Sequence, residues 1–150
     1  MRGLNSPARQ HDVRAKIEES HCSIICLQET KCQSFDIHMI WCFCPRRFDQ
    51  FAFSPLVGAS GGILIIWNSS VFDGQLLEVQ RFSVVVSFKS VHNSEKWMLV
   101  SVYGPCEGQP RDDFVGWLYN LSIPSDENWM LLGDFNFIRS LYNRNQPGGH

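Results

Sequence analysis

The sequence predicts an α/β protein of the layered α+β kind, a β-sandwich flanked by helices rather than a regularly alternating doubly wound sheet. Three observations carry this: a helical segment leads straight into a short buried strand, a long run of strand-like segments follows, and an amphipathic helix then precedes one last apolar strand. At 150 residues, 44% hydrophobic and 13% aromatic, the chain can bury one core and is too short for two ordinary domains. Residues 1–150 therefore read as one domain or part of one.

The elements follow in order. Ser6-Pro7 is an N-cap followed by a first-turn proline, and Arg9 to Glu19 carries Val13 and Ile17 one helical step apart among charges. A surface helix with a narrow apolar face results. Ser23 to Leu27 is a partly β-branched apolar run that ends in Gln28-Glu29-Thr30, which places Glu29 at the C-terminal end of a buried strand. Phe35 to Cys42 reads as a short helix stopped by Pro45 and the Arg46-Arg47 pair, and Gln50 to Phe53 as extended. Gly58, Gly61 and Gly62 turn the chain into Ile63 to Trp67, strongly strand-like and ended by Asn68-Ser69-Ser70. Extended segments follow at Leu76 to Val79, Phe82 to Phe88 and Trp97 to Tyr103. In the second of these Val84, Val86 and Phe88 share a face and Val85 lies opposite among serines, as on a strand covered on one face only. Gly104-Pro105 turns out of the last strand, Asp112 to Leu121 puts Phe114, Trp117, Leu118 and Leu121 at helical spacing, and Trp129 to Leu132 is wholly apolar. No internal repeat, low-complexity segment or linker composition interrupts the chain.

Charge and cysteine usage narrow the classes. A net charge of -2 excludes a global positive field, so any nucleic-acid contact is local. The six cysteines, at 22, 26, 32, 42, 44 and 106, lack the paired C-x-x-C spacing of structural zinc sites and read as reduced thiols, Cys22 and Cys26 as core residues. Neither a signal-peptide core nor a membrane-length apolar run is present, and an intracellular compartment, nuclear or cytoplasmic, is expected rather than secretion.

Chemistry concentrates at three strand ends. In Gly133-Asp134-Phe135-Asn136 the side-chain period of two sends Asp134 and Asn136 to one face and Phe135 into packing. A carboxylate there can hold a metal or take a proton from water, and the amide can orient a phosphate oxygen. Alone, such a segment is more commonly a solvated turn. Leu27-Gln28-Glu29-Thr30 supplies a second carboxylate, and Val102-Tyr103-Gly104-Pro105 a phenol whose hydroxyl the turn leaves in the open. Side by side, Glu29 and Asp134 would share one Mg²⁺, with their carboxylates no more than about 8 Å apart, while Tyr103 donates to a phosphate. His11, His21, His38 and His92 have no partner motif and read as solvated or structural.

Together and in this order, these segments resemble the endonuclease/exonuclease/phosphatase superfamily, which includes DNase I-like and apurinic/apyrimidinic endonucleases. The chain is most similar to the endonuclease of plant LINE-type (non-LTR) retrotransposons. The blocks are Arg2-Gly3-Leu4-Asn5-Ser6-Pro7, Cys26-Leu27-Gln28-Glu29-Thr30-Lys31, Gly61-Gly62-Ile63-Leu64 with Trp67, Val102-Tyr103-Gly104-Pro105, Gly133-Asp134-Phe135-Asn136, and Arg144-Asn145 with Pro147-Gly148-Gly149. The resemblance implies a DNase I-like sandwich, DNA as partner and Mg²⁺ as cofactor, with Mn²⁺ as its substitute. It makes Glu29 a metal ligand, Tyr103 a phosphate contact, Asp134 a metal-adjacent or water-activating acid and Asn136 a substrate-orienting amide.

The family pattern also has an asparagine just before the position of Met1, and an acidic residue and an Asp-His pair well beyond Asn136. The 150 residues lack these, and His150 matches none of them. On this reading the domain is incomplete, with a sheet face left uncovered and little or no Mg²⁺-dependent nicking activity. A non-catalytic remnant and a phosphomonoesterase on the same scaffold are the alternatives.

Overall fold

The computed structural model describes residues 4–55, 62–105 and 108–136. Helix α1 (Pro7–Ser20) starts as its sequence dictates: the Ser6 hydroxyl accepts from the Arg9 amide at 3.2 Å with Pro7 in the first turn, and His21 closes it in the left-handed conformation. Strand β1 (Ile24–Gln28) follows, then α2 (Ile37–Trp41), capped by the Asp36 carboxylate on the Met39 amide at 2.9 Å. Strands β2 (Gln50–Ser54), β3 (Ile63–Trp67), β4 (Phe72–Val79), β5 (Ser83–Ser90) and β6 (Lys96–Tyr103) come next, then α3 (Gly108–Tyr119) and β7 (Trp129–Asp134).

Among the described residues two sheets form, an antiparallel β1-β3-β2 and a four-stranded β4-β5-β6-β7 in which only β6 and β7 run parallel. Every residue of β3 is buried, because this central strand serves two cores at once. Leu64 and Ile66 face Val13 and Ile17 of α1 and Ile40 of α2, whereas Ile63, Ile65 and Trp67 meet Val84, Val86, Phe88 and Leu99 of the second sheet. The outer face of that sheet carries a third cluster, in which Phe114 of α3 packs on Phe82, Val100 and Val102. The layers thus run helix, sheet, sheet, helix, the mixed α/β sandwich that the element order implies and the DNase I-like arrangement that the resemblance implies.

The differences from expectation have physical causes. Val85 is half-buried against the third cluster, so β5 is covered on both faces. β4 starts four residues before Leu76, although Asp73, Gly74 and Gln75 break the apolar pattern, because pairing with β5 satisfies its backbone. α3 begins at Gly108 rather than Asp112, since Pro110 is tolerated in a first turn. The inner sheet faces cover one another over β3, β5 and β6, while edge strand β7 leaves Trp129 and Met130 45% and 52% exposed. Cys22, Cys26, Cys32, Cys42 and Cys44 are free thiols, and burial pushes Cys26 and Cys44 up to about 12. Arg2, Gly3, Gly58, Gly61, Cys106, Arg144, Asn145, Pro147, Gly148, Gly149 and His150 lie outside the described residues.

Candidate active site

β1 and β6 both end at one rim of the sandwich, and β7, parallel to β6, ends there too. Along β1, Ile25 and Leu27 pack toward the helices while Ile24 and Cys26 pack toward the second sheet. Gln28 continues the inward set, its side-chain amide donating to the buried Ser101 hydroxyl of β6 at 3.5 Å. Strict alternation would then send Glu29 outward, to the helix side. Instead Glu29 has φ of +53°, a left-handed conformation that costs a non-glycine residue about 1–3 kcal/mol. The kink redirects the side chain, and the Tyr103 hydroxyl donates to Glu29 Oε1 at 2.5 Å. The turn after Tyr103 therefore does not leave its hydroxyl open. It is committed to the carboxylate of a strand 74 residues away.

The loop that follows holds the kink. Thr30 is fully buried, its amide donating to the Gly62 carbonyl at 3.4 Å and its carbonyl accepting from the Cys32 thiol at 3.4 Å. Lys31 is again left-handed at φ +55°. Gly62, at φ +95°, is the residue across from Thr30, and a Cβ there would stand 2.4 Å from Thr30 Oγ1.

On the other side of Tyr103, its Cα pairs with Asp134 in the β6–β7 ladder. Residues paired in a parallel ladder share a face, so Asp134 projects to the inner side with Tyr103 and Leu132. Gly133 makes this approach feasible: at φ +153°, a Cβ on it would fall 1.8 Å from the Val102 carbonyl oxygen. Asp134 is exposed, its Oδ1 accepting from the Asn136 amide at 2.9 Å, and its carbonyl accepts from the Gly104 amide at 2.7 Å.

Period-two placement fails at Asn136. The strand stops at Asp134, Asn136 turns left-handed at φ +51°, and its side-chain amide donates to the Gly104 carbonyl, tying the ends of β6 and β7 together. Phe135 packs against Phe114 as its position predicts. All four sequence-selected residues thus lie at one rim, Glu29 through Tyr103 and Asp134 and Asn136 through the β6–β7 end. Thr30, Gly62 and Ser101, which shape the rim, are not among the sequence-selected site residues; from sequence Gly62 reads only as part of a turn.

Among the described residues no three histidine, cysteine, aspartate or glutamate side chains converge in a metal-holding group, and no helix is long and apolar enough to cross a membrane.

A two-sheet sandwich with helices on its outer faces and acidic groups at strand ends on one rim defines a class, and the sequence defines the family. The profile of the Endonuclease/Exonuclease/phosphatase family matches residues 1–148, and the chain belongs to that family. Among solved structures it is similar to the AP endonuclease LMAP from Leishmania major, with 17% identity over 97% of this chain and 56% of that one and a TM-score of 0.64. An endonuclease/exonuclease/phosphatase family protein from Bacteroides thetaiotaomicron gives 16% identity, 90% and 60% coverage and a TM-score of 0.58. The human Nocturnin catalytic domain gives 14%, 90%, 60% and 0.59. At these identities the likeness is one of fold, and the chain spans 56% to 60% of the length of these structures.

Proposed function

We propose that the chain contributes the Glu29, Tyr103, Asp134 and Asn136 part of a Mg²⁺-dependent centre that hydrolyses phosphodiester bonds in DNA, of the LINE-retrotransposon endonuclease type of plants. The observation that carries this is the Tyr103 hydroxyl on Glu29 Oε1, formed at the rim where Asp134 also ends its strand. The donor set fits a hard cation. Tyr103 and the Asn136 amide each occupy one oxygen of a carboxylate, and among the described residues no hydrogen bond or ion pair claims Glu29 Oε2 or Asp134 Oδ2. Glu29 and Asp134 would hold the ion, which when bound supplies stabilisation of negative charge developing on a phosphoryl oxygen.

The remaining residues act by placement. Tyr103 fixes the Glu29 carboxylate and sets the spacing to β7. Asp134 is positioned to accept a proton from a water at the rim. Asn136, whose amide nitrogen is engaged with Gly104, keeps its amide oxygen for orienting a donor. DNA as the substrate rests on the sequence blocks shared with LINE endonucleases and agrees with the AP endonuclease likeness.

The test is Mn²⁺ binding by calorimetry on the unmodified chain, Glu29→Ala and Asp134→Ala, alongside nicking of supercoiled plasmid in Mg²⁺ with an EDTA control. One binding site weakened by both substitutions is expected, with any nicking lost in both variants. Binding that neither substitution affects overturns the reading, as does nicking that persists in both.

A further inference from the structure

The feature the catalytic reading leaves unused is Thr30. It is fully buried, its hydroxyl has no hydrogen-bond partner among the described residues, and it stands between two left-handed residues, Glu29 and Lys31. A buried hydroxyl without a partner is a destabilising choice where an apolar side chain of the same shape would do. Two left-handed non-glycine residues around it persist only where the surroundings over-determine them. Gly62 is what does so here, since its missing Cβ leaves the space that Thr30 Oγ1 occupies, 2.4 Å from where that carbon would be.

We propose that Thr30, seated against Gly62, is the positioning residue that holds Glu29 in its left-handed kink and so turns the carboxylate from the helix side of β1 to the Tyr103 hydroxyl. The contact acts through shape. Without the Thr30 side chain in that space, the strand is free to relax toward ordinary alternation, which carries Glu29 away from the inner rim. With a methyl on Gly62, Thr30 is expelled and the same kink opens. The inference rests on the reading of Glu29 as a metal-holding carboxylate only for its effect on metal binding; the Tyr103 contact tests it independently.

The experiment uses the full chain with tyrosines labelled at Cζ with ¹³C, the Tyr103 resonance being assigned by its loss in Tyr103→Phe, and Mn²⁺ binding by calorimetry. Thr30→Val, which keeps the shape and removes the unpartnered hydroxyl, is expected to leave both the Tyr103 resonance and the Mn²⁺ affinity unchanged. Thr30→Ala and Gly62→Ala are expected to move the Tyr103 resonance toward its position in Glu29→Ala, and to weaken Mn²⁺ binding about ten- to a hundredfold, the usual cost of losing a group that orients a ligand. A Tyr103 resonance that stays in place in a folded Thr30→Ala variant overturns the proposal even if the variant melts lower, because a purely structural role would lower the melting temperature alone. A Thr30→Val variant as impaired as Thr30→Ala also overturns it, since the hydroxyl and not the shape would then be the active element. If Glu29→Gln leaves Mn²⁺ binding intact, the metal reading fails by itself, and the Tyr103 resonance still decides the role of Thr30.

Discussion

Replacing Gly133 with alanine puts the β6–β7 seam under a defined load. The added Cβ would lie 1.8 Å from the Val102 carbonyl oxygen, 2.7 Å from its carbon and 2.9 Å from the Val102 nitrogen, all backbone atoms of a buried strand that cannot swing aside. A φ of +153° adds conformational strain of about 1–3 kcal/mol, and forced separation of packed elements typically adds another 1–3 kcal/mol. The sum, about 2–6 kcal/mol, is a large part of an ordinary domain's stability, and for a chain of this size each kcal/mol lowers Tm by roughly 2–4 °C. A fall in Tm of about 4–24 °C is expected by thermal denaturation followed by tryptophan fluorescence. Gly116→Ala serves as the control: on α3, with nothing within 4 Å of the added carbon, it should stabilise by roughly 0.5–1 kcal/mol through helix propensity. Because Asp134 follows Gly133 directly, Mn²⁺ binding should weaken in Gly133→Ala and hold in Gly116→Ala. A Gly133→Ala protein that melts with the wild type and binds Mn²⁺ equally well would refute the close-approach argument.

Three further outcomes are expected. Burial alone would raise the Asp49 carboxyl, but the Ser69 hydroxyl and amide, at 2.6 and 2.9 Å, outweigh it and hold its pKa below the ordinary value. The stabilisation is therefore present above the unfolded-state pKa and lost as pH falls through the folded one; carboxyl ¹³C NMR should show Asp49 titrating higher in Ser69→Ala, and an unmoved midpoint would count against the bond. Iodoacetamide at pH 8 should modify exposed Cys42 before Cys26 and Cys44, which, buried and pushed up to about 12, react only after denaturant is added; mass spectrometry reads the order, and early labelling of Cys44 would contradict its burial. A crystal structure with Mn²⁺ should place the Glu29 and Asp134 carboxylates on one ion, no more than about 8 Å apart; a wider separation would remove Asp134 from the metal site.

The elements were legible because their local signals agreed with their surroundings. Ser6-Pro7, the apolar run of β3, the α3 spacing and the wholly apolar start of β7 each specify one structure in isolation and meet no tertiary conflict. β4 was only half visible, since its first residues are Asp73, Gly74 and Gln75 and only the pairing with β5 makes them a strand. The site was legible as a set of strand ends but not as a geometry. Glu29 and Asn136 depart from strand alternation through positive φ angles, and a sequence announces such a turn clearly only when glycine occupies it. Thr30 carried no signal of its own because its importance lies in what Gly62 lacks.

The lone parallel pairing in the second sheet also bears on the order in which the molecule assembles. β4, β5 and β6 are joined by short reversals and pair antiparallel with neighbours in sequence, whereas β7 reaches β6 only after residues 104–128 and α3 have crossed over. Contacts between distant parts of a chain incur a loop-closure entropy that local hairpins avoid, so the meander is expected to form ahead of the β6–β7 ladder. Asp134 then joins Tyr103 as a late event, and a chain stalled before the crossover docks would hold Tyr103 on a formed strand without its β7 neighbour. Native-state hydrogen exchange should find the β7 amides opening at lower free energy than those of β5, and equal protection of the two strands would show instead that the sheet closes as one unit.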